Sequence, residues 1–300
     1  MGEPVPGVGL EVLDPGALTT VQDLGRPGHA HLGVTRSGAL DRPALQLANR
    51  LVGNPAGAAG LETTLSGVRL LALQSCRIAV TGAQAALNVA GRPVGWGTAV
   101  SVPAGSEVVV GPATRGLRSY LAVAGGIAVE PVLGSRSSDL LSGLGPAPLV
   151  AGLVLPIGAA TPGPEDASAL PVVPAAVLHL ELGPRADWFT PGAVAALDGA
   201  TYEVGPASNR IGLRLSGTPI QRSHTGELPT EPIVLGAVQV PPSGQPVVFL
   251  ADHPTTGGYP VIGVVREDDL PACAQARPGD RLTLRVVGAR GATPGRPPPG

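Results

Sequence analysis

Glycine and proline interrupt this chain so often that no long regular element fits between them. Of its 300 residues, 44 are glycine and 34 are proline. Inside a helix each glycine costs about 1 kcal/mol and each proline about 3 kcal/mol relative to alanine, so only short helices survive. The same composition signals disorder when hydrophobicity is low. Here 43% of the chain is hydrophobic, and valine, leucine and isoleucine recur in short runs. That pattern predicts a turn-dense β protein of barrels or sandwiches.

The predicted strands are Arg77–Thr81, Ala99–Val102, Glu107–Val110, Ser119–Ala124, Val177–Leu182, Thr201–Val204, Arg210–Leu215, Ile233–Val240, Val247–Leu250, Val261–Val265 and Arg281–Val287. One helix is well signed: Asp41 can cap it, Pro43 suits its first turn, and Gly53 and Pro55 follow its end. Ala44, Leu45, Ala48, Leu51 and Val52 share one face, with Asn49 and Arg50 off that stripe. Shorter helices are expected from Thr190-Pro191 to near Asp198-Gly199, and after Asp268. Length and composition divide the chain into a first β domain, residues 8–160, and a second, residues 175–288. Between them lies an Ala/Pro/Gly-rich linker, and residues 289–300 are expected to be a disordered tail.

Composition removes several function classes. Every basic residue is arginine, so a Schiff-base lysine, a lysine general base, a P-loop lysine and a biotinylated lysine are all excluded. The net charge of −2 and the lack of a basic, aromatic-rich cluster argue against nucleic acid. Cys76 and Cys273 lack metal-ligand spacing and read as buried thiols of a reducing compartment. No signal-peptide pattern or membrane-length apolar stretch occurs, so the expectation is a cytoplasmic protein.

Chemistry concentrates in a few polar clusters. In the first, Asp23 and Arg26 can pair with one another as a surface ion pair, or Arg26 can grip a carboxylate or phosphate. Ser37 lies in a hydroxyl-rich loop just ahead of the capped helix. That loop reads either as an anion site or as a simple capping loop, and it lacks the frame of a hydrolase nucleophile. Asn209 and Arg210 open a strand whose alternation points Arg210 and Gly212 to one face, as ligand grips or as a solvated edge. Glu227 and Glu231 sit in a proline-held segment and can serve as acid, base or arginine partner, or remain solvated loop acids. Last comes Ala251 to Pro260, which crowds His253, Thr255, Thr256, Gly257, Gly258 and Tyr259 between two strands. It reads as a turn or as a site in which glycine amides and polar side chains converge. His29 and His31 lack the supporting ligands of a metal site, and His179 reads as structural.

Taken in order, these segments resemble one family. The residues are Thr20-Val21-Gln22-Asp23-Leu24-Gly25-Arg26, Ser37-Gly38-Ala39-Leu40-Asp41, Leu47 to Asn54 with Leu61-Glu62, and Gly183-Pro184 with Asp187-Trp188-Phe189. Ser208 to Leu215, Glu227 to Ile233 and Thr255 to Pro260 complete the series. The chain is similar, over about residues 8 to 288, to the biotin-dependent carboxyltransferase / allophanate hydrolase subunit 2 (KipA) family, which includes 5-oxoprolinase C subunits. That resemblance implies a mainly β fold of two cyclophilin-like β-barrel domains with a few short helices. It implies action with a KipI-like B subunit and an A subunit in an ATP-dependent 5-oxoprolinase that opens 5-oxo-L-proline to L-glutamate. The ATP site is expected elsewhere than in this chain alone, and no biotin is attached to it.

The alternatives within the family are the carboxyltransferase component of a biotin-dependent, urea carboxylase-like system and a KipA-type regulator that binds a KipI-like kinase inhibitor. On this resemblance Asp23, Glu227, Glu231, His253 and Tyr259 are the catalytic candidates. Arg26, Ser37, Asn209, Arg210, Thr255, Thr256, Gly257 and Gly258 would bind a small amide substrate. Many relatives carry lysine after Tyr-Pro where this chain has Val261, which tilts the reading away from carboxyl transfer.

Overall fold

The computed structural model describes residues 8–160, 175–226 and 228–288. The predicted tail, most of the predicted linker and Glu227 lie outside the described residues. The chain divides into two compact units: residues 1–174 with 274–277, and residues 175–273 with 278–300.

The first unit contains β1 (Leu10–Asp14), β2 (Leu18–Gln22), α1 (Arg42–Leu51), β3 (Gly60–Thr64) and β4 (Val68–Ala72). It continues through β5 (Cys76–Val89), β6 (Arg92–Val94), β7 (Val100–Val102), β8 (Glu107–Val123) and β9 (Val154–Leu155). They form one nine-stranded sheet in the order β2-β3-β8-β4-β1-β9, with β5 pairing β6, β7 and β8. The segments Glu107–Val110 and Ser119–Ala124 thus fall at the two ends of one strand. β8 runs through the intervening glycine and proline because β5 shifts register at Gly82/Gln84, Gln84/Ala85 and Ala85/Leu87 to stay paired with it. Leu10, Leu61, Leu70, Ile78, Val80 and Val123 are fully buried in the core, each worth about 1.5–3 kcal/mol of apolar burial.

Helix α1 starts as expected, with the Asp41 carboxylate accepting from Ala44 N. Ala48, Leu51 and Val52 pack with Ala79 of β5 and Ala122 of β8. Asn49, off the apolar stripe, is also fully buried. Its amide donates to the Ala56 and Ala58 carbonyls and so shapes the turn that leaves the helix.

The second unit contains β10 (Val177–Leu182), α2 (Pro191–Ala195), β11 (Thr201–Val204), β12 (Gly212–Ser216), β13 (Glu231–Pro232) and β14 (Ala237–Gln239). β15 (Val247–Phe249), β16 (Thr256–Gly257), β17 (Val261–Val265), α3 (Leu270–Gln275), whose last two residues belong to the first unit, and β18 (Arg281–Val287) follow. Seven strands close a barrel in the order β10-β17-β14-β15-β12-β11-β18, and the parallel pair β10–β18 closes it. Leu178, Leu180, Val238, Val248, Ile262 and Leu284 are fully buried along its strands. β13 and β16 form a separate two-stranded ribbon.

The mainly β architecture is as expected, with a closed barrel in the second unit and an open, half-barrel sheet in the first. Arg210 lies just before β12 and not on it, so strand alternation does not set its direction. Helix α2 ends at Ala195, short of Gly199. Among the described residues no helix is long and apolar enough to cross a membrane.

Candidate functional site

In the first unit, the loop after β2 is folded against a serine-rich segment. Asp23, 8% exposed, accepts from the Ser135 hydroxyl at 2.6 Å, the Ser137 hydroxyl at 2.5 Å, Arg136 N at 2.6 Å and Gly25 N at 2.7 Å. The expected surface pair of Asp23 with Arg26 is therefore not what forms. The carboxylate is taken up by the 135–137 backbone and hydroxyls. The Arg26 guanidinium, 1% exposed, turns to carbonyls instead: Nε donates to Val132 O at 3.3 Å and Nη2 to Ser137 O. Ser37 is held with φ at 52°, a left-handed conformation costly for any side chain with a Cβ. Its hydroxyl donates to Ser138 O at 2.8 Å.

Asp139 closes the same segment, accepting from the Thr35 and Ser142 hydroxyls and from the Leu141 and Ser142 amides. Burial pushes this carboxyl up, but the hydrogen bonds from Ser142 and Thr35 outweigh it and hold it below 3.8. The Asp41 carboxylate caps the N-terminus of α1. Asp41 occupies that terminus itself, and its other oxygen accepts from Gln275 at 2.8 Å. Behind it, buried Glu62 accepts from Tyr120 OH at 2.8 Å and from Leu40 N, and the tyrosine oxygen accepts from Asp41 N. Burial raises Asp41 and drives Tyr120 well above its ordinary 10.

In the second unit, Arg210 and Asp252 form a two-pronged ion pair, Nε to Oδ2 at 2.9 Å and Nη2 to Oδ1 at 3.0 Å. Both side chains are at most 1% exposed, so Arg210 is neither a solvated edge residue nor an open carboxylate receptor. His253 follows directly and is buried. Its Nδ1 lies 2.7 Å from Pro254 O. A carbonyl only accepts, so Nδ1 carries a proton. Asn209 turns its oxygen to the Ile211 and Gly212 amides, shaping its own turn.

The ribbon β13–β16 sets Glu231 opposite Gly257 and Pro232 opposite Thr256, and Ile233 N donates to Thr255 O. At Gly257 a Cβ would lie 2.5 Å from Ile233 Cδ1 and 2.7 Å from Gln239 Nε2, so a larger residue would force both side chains to move. Gly258 has Leu228 O nearby. Gln239 donates to Tyr259 O at 3.2 Å, while Tyr259 is 46% exposed. Glu231 is gripped by Arg185 through Nε at 2.9 and 3.1 Å and through Nη2. Hydrogen bonding with Arg185 holds the Glu231 carboxyl below 4.5 and raises Arg185 in turn. Glu231 is thus a fixed negative charge and a weak proton acceptor.

The motifs read separately along the second block converge: the turn at 209–212, the ribbon and the 250–259 loop form one polar neighbourhood. Arg185, Asp252 as the partner of Arg210, and the Ser135–Asp139 run were not singled out from the sequence. The serine-rich run Ser135-Arg136-Ser137-Ser138-Asp139 was the signal for the last. Nothing local marked Arg185 as the partner of a carboxylate 46 positions away. Among the described residues no group of three histidine, cysteine or acidic side chains is placed to hold a metal ion.

A buried guanidinium–carboxylate pair beside a histidine, with a ribbon of glycine, threonine and glutamate, suits recognition of a small polar molecule. The model of the carboxyltransferase domain, subdomain A and B, matches residues 32–286. The chain belongs to this family. It is 37% identical over 270 residues to the C subunit of 5-oxoprolinase from Escherichia coli, covering 89% of this chain and 87% of that one. The crystal structure of TTHA0988 superposes with a TM-score of 0.84 at 39% identity, over 96% of this chain and 57% of that one. The crystal structure of the K. lactis urea amidolyase superposes with a TM-score of 0.87 at 29% identity, over 94% of this chain and 19% of that one. Carboxyltransferase-domain membership accounts for most of the series of motifs, since the matched span contains both units' polar clusters except the loop at Asp23 and Arg26.

Proposed function

We propose that this chain is the C subunit of an ATP-dependent 5-oxoprolinase, which opens 5-oxo-L-proline to L-glutamate together with a KipI-like B subunit and an A subunit. The observation that carries the reading is the near end-to-end match to the 5-oxoprolinase C subunit, 89% of one chain against 87% of the other. In the urea amidolyase, by contrast, the similar region is 19% of a larger chain. In this reading the small amide is bound by polar side chains, His253 is one of the candidates to move protons, and the chain is inactive by itself.

The residues present do not fit ATP. The chain has no lysine, and the N-terminus of α1 is occupied by the Asp41 carboxylate, which repels phosphate. In this reading ATP chemistry belongs to the partner subunits. The experiment is co-expression with the A and B subunits, followed by ATP-dependent release of glutamate from 5-oxoproline. Full activity of those two partners without this chain would overturn the reading.

A carboxyltransferase role is the second reading, favoured by the superposition on urea amidolyase. Val261 after Tyr259-Pro260 and the absence of lysine throughout weigh against it. Carboxyl transfer from carboxybiotin to urea by the purified chain would establish it instead.

A further inference from the structure

Thr255, Thr256, Gly257 and Gly258, the residues expected to bind a small amide, lie on or beside β16, and the pairing of that strand is minimal. Each strand of the β13–β16 ribbon has two residues. Pro232, opposite Thr256, has no N–H to donate. One bond continues the pairing past it, from Ile233 N to Thr255 O at 2.9 Å. A two-stranded ribbon is marginal at best by itself, so its placement depends on ties from outside.

Arg185 supplies such a tie. It stands in the short helical turn Pro184–Trp188, and the backbone on either side of that turn is fixed. Gly183 N donates to Ile262 O of β17 at 2.9 Å, and Phe189, which follows the turn, is buried. From there the guanidinium meets Glu231 of β13 through Nε and Nη2.

These links close a circuit. Glu231 lies opposite Gly257 across the ribbon. Gly257 leads through Gly258, Tyr259 and Pro260 into β17, β17 is bonded to Gly183, and Arg185 returns to Glu231. Gln239 Nε2 adds a tie to Tyr259 O at 3.2 Å. The segment from Gly257 to Tyr259 is thereby framed from both ends. The Arg185 and Glu231 side chains are 37% and 32% exposed, and an ion pair so open to solvent adds little to global stability. What its two-pronged geometry fixes is direction.

We propose that Arg185 is a positioning residue of the amide site: through Glu231 it holds the ribbon in place against the barrel, and so sets where Thr256, Gly257 and Gly258 meet the substrate. The substrate named here rests on the 5-oxoprolinase reading, whereas hydrogen exchange in the chain alone tests the positioning without it. Ile233 N–H should exchange about two- to fivefold faster in Arg185→Met than in the parent, the range for an ion pair this exposed. Val204 N–H on β11, bonded to Asp280 O, should keep its rate. In a Glu231→Ala background Arg185→Met should quicken Ile233 no further, because the two side chains act as one link. The melting temperature should fall by no more than about 3 °C.

In the complex with the A and B subunits, Arg185→Met should raise KM for 5-oxoproline about tenfold, the worth of one good hydrogen bond, and leave kcat within about twofold. Arg185→Lys, which keeps the charge and loses the fork, should recover only part of that affinity. The proposal is overturned by unchanged exchange at Ile233, by a further rise in the Glu231→Ala background, by an unaltered KM, or by full recovery with lysine. A larger drop in melting temperature makes the residue merely structural and overturns it too. A parent complex that releases no glutamate overturns the functional reading instead, and the exchange rates alone then uphold or overturn the role of Arg185.

Discussion

Asp252→Ala is the perturbation with the largest consequence for the second unit. The carboxylate is fully buried and meets Arg210 through two contacts at 2.9 and 3.0 Å. At an effective dielectric of ~20, opposite charges about 4 Å apart attract by roughly 4 kcal/mol. Removing the carboxylate strands the guanidinium in the interior, a loss of about 3–5 kcal/mol. With a urea dependence near ~2 kcal/mol per molar, the midpoint should fall by about 1.5–2.5 M. Trp188 belongs to the second unit and Trp96 to the first, so fluorescence in a Trp96→Phe background reports the second unit alone. The double variant Arg210→Met, Asp252→Ala should recover most of the loss, giving a coupling of about 2 kcal/mol or more. A single-variant cost below about 1 kcal/mol, or strictly additive costs, would refute the claim that this pair organises the 210–252 neighbourhood.

Other consequences follow from individual groups. Tyr120→Phe removes a hydroxyl that serves both Glu62 and Asp41 N and should cost about 1–3 kcal/mol in chemical denaturation. Asp139, held below 3.8 in the fold, contributes stability that is present above that value and lost as pH falls through its folded pKa. Asp139→Asn should therefore flatten the acid limb of a urea-midpoint profile between roughly pH 5 and pH 2. Asp41 has the opposite sign: raised by burial from 3.8, it contributes stability below that value that is lost as pH rises through its folded pKa. Asp41→Asn should steepen the net acid loss in the same profile. The Cys273 thiol, fully buried and pushed up to about 12, should resist iodoacetamide in the native protein and react once urea unfolds it, as peptide mass mapping would show.

The second barrel was largely legible along the chain. Val177–Leu182, Thr201–Val204, Val261–Val265 and Arg281–Val287 coincide with strands, because each is a short apolar run flanked by a turn. β2 and β3 escaped for a physical reason: Thr19, Thr20, Gln22, Glu62 and Thr63 are buried polar residues, so the apolar alternation that marks a strand is missing. Those are also the strands that carry the polar cluster of the first unit. Local spacing could nominate Arg26, Arg210 and Glu231 but could not say what each would meet. Ser137 lies 111 positions from Arg26, and Asp252 lies 42 from Arg210. Long-range pairing decides whether an arginine is a receptor or already satisfied, and no local pattern encodes it.

The parallel pairing of β10 with β18 bears on how the chain is made. Val177 to Glu181 lie beside Thr283 to Val287, so the first and last strands of the second unit are the ones that seal it. During synthesis β10 emerges early and keeps an open edge until Arg281–Val287 has followed. Such non-local closure is slow, and unpaired edges invite association with other chains. The first unit has no such wait for its sheet, since β1 to β9 are complete by Leu155. Production of this protein should therefore be limited by the final stretch of translation, and a product ending before Arg281 should accumulate as aggregate and not as a shortened barrel.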